Sequence, residues 1–204
     1  MDPVLVSLIA AVFGYLLGSV PFAVIVSRAF GLADPRSFGS GNPGATNVLR
    51  TGNKAAAALT LIGDAAKGWL AMAIATKVSA GETAVGIAGL AAFLGHVFPF
   101  TLGFKGGKGV ATALGVMLGF SGAMAGIAAV IWLAVAFITR YSSLAALVAA
   151  ASAPFLAWFL TGQFAVVVPV TLMAGVLIYR HKANIQKLLA GTESRIGGKK
   201  AAAG

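Results

Sequence analysis

What most constrains this chain is a succession of long apolar blocks with hardly a charge inside them, divided by short basic or glycine-rich strings. With 59% of its residues hydrophobic and 10% charged, it has too little polar surface to enclose a water-soluble globule. The blocks approach the ~20 residues with which a helix crosses a hydrocarbon core of about 30 Å. The expected fold class is an all-α integral membrane protein. Spans fall at Val4–Ser27, Ala55–Thr76, Ala84–Gly103, Lys108–Phe120, Ser121–Ile138, Leu144–Leu160 and Phe164–Tyr179. The stretch from Gly109 to Ile138 reads either as one very long helix or as two short ones broken near Phe120–Ser121–Gly122.

Charge placement decides between them. With about seven transmembrane helices and the N-terminus outside, the inner strings collect Arg28, Arg36, Arg50, Lys54, Lys105, Lys108, Arg140, Arg180 and the basic C-terminal residues. The outer strings then hold Lys77 and Glu82 beside Asp2. Six spans would weaken that asymmetry, so the broken pair is preferred and the C-terminus is expected to be cytoplasmic. The start of the chain has no basic n-region or clear cleavage site, and its first block reads as a retained span. The net charge of +10 follows the span borders rather than forming a solvated stripe with aromatics, which argues against a nucleic-acid partner. The chain contains no cysteine, so disulfides and thiolate metal sites are excluded. Gly86/Gly89, Gly115/Gly119 and Gly122/Gly126 suit close helix packing in lipid. Residues 1–196 read as a single transmembrane domain and 197–204 as a disordered tail.

Two of the strings carry chemistry. SFGSGNPGATNVLR, Ser37 to Arg50, combines turn-forming Gly39, Gly41, Pro43 and Gly44 with the neutral donors Ser40, Asn42, Thr46 and Asn47 and the planar fork of Arg50. GHVFPFTLGFKGGKGVAT, Gly95 to Thr112, sets Lys105, Gly106, Gly107, Lys108 and Gly109 at the start of a helix, where exposed N–H groups and the macrodipole favour an anion. It is not a P-loop, because the GxxxxGK[ST] spacing fails. Both strings lack carboxylates, so the ligand itself should be negative and no metal is expected. Phosphate fits best.

Other polar residues sit inside or beside the spans. A count at 100° per residue along an unbroken helix from Ile178 to Ala190 puts His181 and Asn184 on one inward stripe with Ile178, Ile185, Leu188 and Leu189, while Arg180 and Lys187 point away. Asp64 and Lys67, three apart in the second span, should neutralise each other as a structural pair, with a proton relay or a contact to the substrate loop as the alternatives. His96 reads as a packed hydrogen-bonding group. Arg140, Ser142 and Ser143 read either as anchor and cap or as further phosphate ligands.

SGNPGATNVLR, GHVFPFTLGFKGGKGVAT and RHKANIQKLLAGTE resemble, in order, the three motifs of the bacterial membrane-integral glycerol-3-phosphate acyltransferases that use acyl phosphate, the PlsY family. Pro43 and Ser142 depart from the family pattern without removing a candidate ligand. The resemblance implies transfer of a fatty acyl group from acyl phosphate to the sn-1 hydroxyl of glycerol 3-phosphate, giving lysophosphatidate and needing no cofactor. It also implies a bacterial inner-membrane location with a cytoplasmic active site, and possible contact with the enzyme that forms acyl phosphate. It makes Ser40 and Arg50 essential, assigns Gly106, Gly107, Lys108 and Gly109 to glycerol 3-phosphate, with Lys108 also catalytic, and gives His181 and Asn184 to catalysis and Glu193 to structure. Gly41, Asn42, Gly44, Thr46, Asn47, Lys105 and Ser143 complete the expected substrate contacts. The HxxxxD dyad of other glycerolipid acyltransferases is absent: five residues after His96 stands Thr101, and after His181, Gln186. A transporter for organophosphate anions would use the same basic face, but its contacts should lie nearer the bilayer midplane.

Overall fold

The computed structural model describes residues 2–78 and 81–197. Of the expected disordered tail, residues 198–204 lie outside the described residues. Among the described residues all regular structure is helical: α1 Pro3–Gly18, α2 Phe22–Ala29, α3 Ala45–Val48, α4 Lys54–Lys77, α5 Gly81–Val97, α6 Val110–Phe120, α7 Gly122–Thr139, α8 Ser142–Thr161, α9 Phe164–Arg180 and α10 Lys182–Leu189. Five segments are long and apolar enough to cross a membrane: 3–29, 54–77, 81–102, 122–139 and 142–161. A sixth arises if α9 and α10, bent by 56° at His181, count as one span. At a rise of about 1.5 Å per residue α6 reaches only about 16 Å, half a hydrocarbon core. The break between α6 and α7 falls at Ser121, whose hydroxyl accepts from Met124 N (3.3 Å) and caps α7.

Helix ends follow local chemistry. The Asp2 carboxylate accepts from Val4 N at 2.7 Å, with Pro3 at the first helical position of α1. Pro21 has no N–H to continue that helix, and α2 resumes after it. The Asn53 side chain accepts from Ala56 N at 2.9 Å and opens α4.

Glycines permit the closest helix contacts. A Cβ at Gly14 or Gly18 would overlap the carbonyls of Ala88 or Ala92, so α1 lies directly on the backbone of α5. Gly115 of α6 stands likewise against Ala65 O of α4. Gly86, Gly89 and Gly119 are also packed, but Gly122 and Gly126, expected to pack, face open space. We expect Gly115→Ala to cost about 1–3 kcal/mol by forcing α4 and α6 apart, and Gly126→Ala to be neutral or slightly stabilising, read by thermal unfolding in detergent. The core beneath these contacts gathers Met72, Phe93, Val116, Met124 and Val170.

Within this bundle Asp64 and Lys67 are almost fully buried and paired at 2.9 Å, as the sequence predicts. The Lys67 ammonium also donates to Val20 O (2.9 Å), holding the α1–α2 break against α4. His96 Nδ1 lies 3.3 Å from the same Asp64 oxygen.

Candidate active site

The Ser37–Arg50 string is a loop closing into the single turn of α3 and a 3-10 turn at Leu49–Thr51. Its organiser is Asn47. Expected to meet the substrate, Asn47 is instead buried, and its amide is used within the loop. Nδ2 donates to Pro35 O (2.6 Å) and Phe38 O (3.2 Å), and Oδ1 accepts from Ser40 N (3.0 Å). That bonding fixes the Ser40 backbone and leaves the Ser40 side chain exposed, with Gly41 and Thr46 also exposed and Asn42 and Gly44 half-buried. Arg50 is exposed, and its Nη2 donates to Ser194 Oγ at 2.8 Å, a partner 144 residues away.

The second string also differs from expectation. Gly106 N donates to Val97 O (3.2 Å) and Gly107 N to His96 O (3.1 Å), so these N–H groups close the loop onto the end of α5 rather than facing a ligand. Gly109, at φ 87°, turns the chain into α6 in a conformation that strains any other residue. This geometry carries Lys108 into a half-buried position, where its ammonium donates to Asn184 Oδ1. Lys105 remains exposed.

From Asn184 the network continues to the C-terminal segment. Asn184 Nδ2 and Ser143 Oγ both donate to Glu193 Oε1, each at 2.7 Å. Ser143, taken from sequence as a possible phosphate ligand, is thus buried and engaged by Glu193. The segment that carries Glu193 is fastened to the α7–α8 turn. Ile196 N donates to Arg140 O (2.7 Å), Arg140 Nη2 to Ile196 O (2.9 Å) and Arg195 Nε to Tyr141 Oη (3.2 Å). Arg140, with φ 62°, therefore caps α7 and anchors this strap.

His181 occupies the bend between α9 and α10. It is buried, and its Nδ1–H donates to Leu177 O at 2.8 Å, leaving Nε2 as the lone-pair acceptor. Burial pushes its pKa down to about 4, the carbonyl bond opposes that and the Lys108 charge adds to it, so the ring is neutral at neutral pH. Burial likewise lowers Lys108. Glu193 counters the shift, and Arg180, Arg50 and Lys187 push it further. Four cations therefore share one field with a single nearby carboxylate, an arrangement suited to a multiply charged anion.

Because the helix bends, the continuous 100° count fails at its ends. Ile178 and Leu189 are exposed rather than inward, and Arg180 does not point away. Its Nη2 donates to Gly106 O (3.1 Å), its guanidinium stacks 5.6 Å from the Phe98 ring centre, and its Nε is buried with no partner among the described residues. Arg180 is the residue that sequence reasoning missed. Its place immediately before His181 is a clue only once the bend is known.

These observations bring polar and basic side chains from the two motif strings and the C-terminal segment together at one site. Residues 8–191 match the family model described as glycerol-3-phosphate acyltransferase. Glycerol-3-phosphate acyltransferases of Paraburkholderia phymatum and Laribacter hongkongensis are 60% and 59% identical to this chain, over 96% and 93% of it and 95% and 96% of their own length. The fold is similar to crystal structures of PlsY, an integral membrane glycerol 3-phosphate acyltransferase. Its glycerol 3-phosphate form has a TM-score of 0.88 at 39% identity, covering 94% of this chain and 96% of that one. Its lysophosphatidic acid form has a TM-score of 0.86 at 38% identity, covering 93% and 94%. The chain belongs to the glycerol-3-phosphate acyltransferase family, in its membrane-integral PlsY branch, and is an acyltransferase enzyme.

Proposed function

We propose that the enzyme transfers a fatty acyl group from acyl phosphate to the sn-1 hydroxyl of glycerol 3-phosphate at the cytoplasmic face of the bacterial inner membrane. The hydroxyl oxygen attacks the acyl carbonyl carbon, the carbon–oxygen bond to phosphate breaks, and lysophosphatidate and inorganic phosphate leave. The observation that carries this reading is the Lys108–Asn184–Glu193 node within the field of Arg50, Arg180 and Lys187. Lys108 and Arg50 hold phosphate, Ser40 with the free N–H groups of its loop and of the α6 start stabilises developing oxyanion charge, and Asn184 with His181 Nε2 orients the acceptor hydroxyl. Gly41, Asn42, Gly44, Thr46 and Lys105 border the substrates. Gly106, Gly107, Gly109, Asn47 and Ser143 shape the site.

An apolar slot between α6, α8 and α9, lined by Val110, Ala113, Met117, Ala150, Val170 and Leu177, supports a lipid donor. It starts two residues from Lys108 and one helical turn from His181. Residues 1–196 act as one acyltransferase unit with seven membrane segments, the short α6 among them, N-terminus outside and C-terminus cytoplasmic, and an acyl-phosphate-forming enzyme meets the cytoplasmic face. Single cysteines at Ser40, Lys105 and Lys187, in a chain without native cysteine, should react with an impermeant thiol reagent only from the cytoplasmic side. Labelling from outside would contradict the orientation.

Arg50→Lys keeps the charge and loses the planar fork, so kcat/KM should fall about tenfold to a hundredfold. Lys108→Met should chiefly raise KM for glycerol 3-phosphate. Wild-type kinetics in both variants would refute the phosphate assignment.

A further inference from the structure

The buried pair Asp64 and Lys67, together with His96, lies outside the reacting groups and is more than a neutralised charge. Asp64 Oδ1 accepts from Lys67 Nζ (2.9 Å) and faces His96 Nδ1 (3.3 Å), so the imidazole is held by one edge. Its other edge, Nε2, lies under Gly107, where even a methyl group would overlap it. The His96 carbonyl accepts from Gly107 N at 3.1 Å. Lys108 is the next residue. From the opposite side Arg180 Nη2 donates to Gly106 O at 3.1 Å.

We propose that His96, oriented by Asp64, is a positioning residue for Lys108: its ring is the floor that sets the height of the Gly106–Gly107 segment and thereby where the Lys108 ammonium meets Asn184 and the substrate phosphate. This rests on the reading of Lys108 as a phosphate ligand, and the two are tested separately. Lys108→Met tests the ligand assignment, and the variants below test the floor.

The geometry makes a contrast between adjacent glycines. A Cβ at Gly107 meets the His96 side chain, which can be removed, whereas a Cβ at Gly106 meets the His96 backbone carbonyl and the Pro99 ring, which a change at position 96 leaves in place. Neither glycine has a positive φ, so alanine is sterically limited at both positions by these neighbours alone. Steady-state kinetics with glycerol 3-phosphate should give a KM raised about tenfold for Gly107→Ala, with a smaller change in kcat. In the double variant His96→Ala/Gly107→Ala, KM should lie several-fold below the product of the two single effects. Gly106→Ala should be equally harmful with His96 or Ala at position 96. If Gly107→Ala fails to accumulate as folded protein, His96→Asn provides the reading. The Asn amide can still donate to Asp64 while the floor is gone, so KM should rise about fivefold or more with an unchanged unfolding temperature. Multiplicative effects in the Gly107 cycle, rescue of Gly106→Ala, or a His96→Asn enzyme with wild-type KM would each overturn the proposal.

Discussion

Replacing Glu193 by alanine should lower kcat/KM about a hundredfold to a thousandfold and reduce the unfolding temperature. One carboxylate oxygen accepts from both Asn184 Nδ2 and Ser143 Oγ. Its removal leaves a buried hydroxyl and a half-buried amide without a partner, at about 1–3 kcal/mol for such a group. The greater effect falls on orientation: with Nδ2 released, the Asn184 carboxamide is held only by the Lys108 bond to Oδ1 and is free to swing with that side chain. Glu193→Gln separates geometry from charge, since the amide oxygen can still accept both bonds. What it loses is the counter-charge that keeps Lys108 protonated against burial and the neighbouring Arg180, Arg50 and Lys187. A Lys108 pKa already below the ordinary lysine value should fall further, so the alkaline limb of the pH–rate profile should move to lower pH in Glu193→Gln. An unmoved limb would show that Lys108 titration does not govern activity.

His181→Gln should cost about a hundredfold in kcat with little change in KM for glycerol 3-phosphate. Its Nδ1–H is committed to Leu177 O, so only Nε2 can meet the acceptor hydroxyl, by accepting its hydrogen bond. As a base it is weak. A pKa near 4 means that the folded protein keeps this ring neutral throughout pH 5–8, whereas free imidazole would be about half protonated near 6.5. A phosphate monoester, with its second pKa near 6, is the stronger proton acceptor in the same site. The acidic limb should therefore track substrate phosphate near pH ~6 and persist in the residual activity of His181→Gln. A wild-type limb that follows imidazole titration and vanishes in the variant would make His181 the general base instead. Trapping an acyl group on Ser40 after mixing with donor alone would overturn direct transfer.

How far the sequence could be read depends on the range of the interaction. Apolar block length located the helices because lipid imposes it residue by residue, and charge placement favoured a break near Phe120–Ser121–Gly122, where the structure shows Ser121 capping α7. The Asp64–Lys67 pair was legible for the same reason: three residues apart on one helix, two opposite charges in an apolar setting have few alternatives. The α9–α10 bend was not legible. Counting Ile178 to Ala190 at 100° per residue presumes one axis, and a 56° turn at His181 exposes Ile178 and Leu189 while bringing Arg180 onto the Gly106 carbonyl. The motif strings read as an anion site by composition, but that composition did not reveal that Asn47, Gly106 and Gly107 use their polar atoms on the loops themselves. Contacts such as Arg50 to Ser194, or Ser143 to Glu193, join chain segments that no local pattern relates.

The central claim, a phosphate-holding site built for an acyl-phosphate donor, is tested most directly by giving the purified protein glycerol 3-phosphate with one acyl donor at a time. With palmitoyl phosphate it should form 1-acyl-glycerol 3-phosphate and release one equivalent of inorganic phosphate. With palmitoyl-coenzyme A it should form none. Equal product from the thioester, or an acyl phosphate left unconsumed, would contradict the claim.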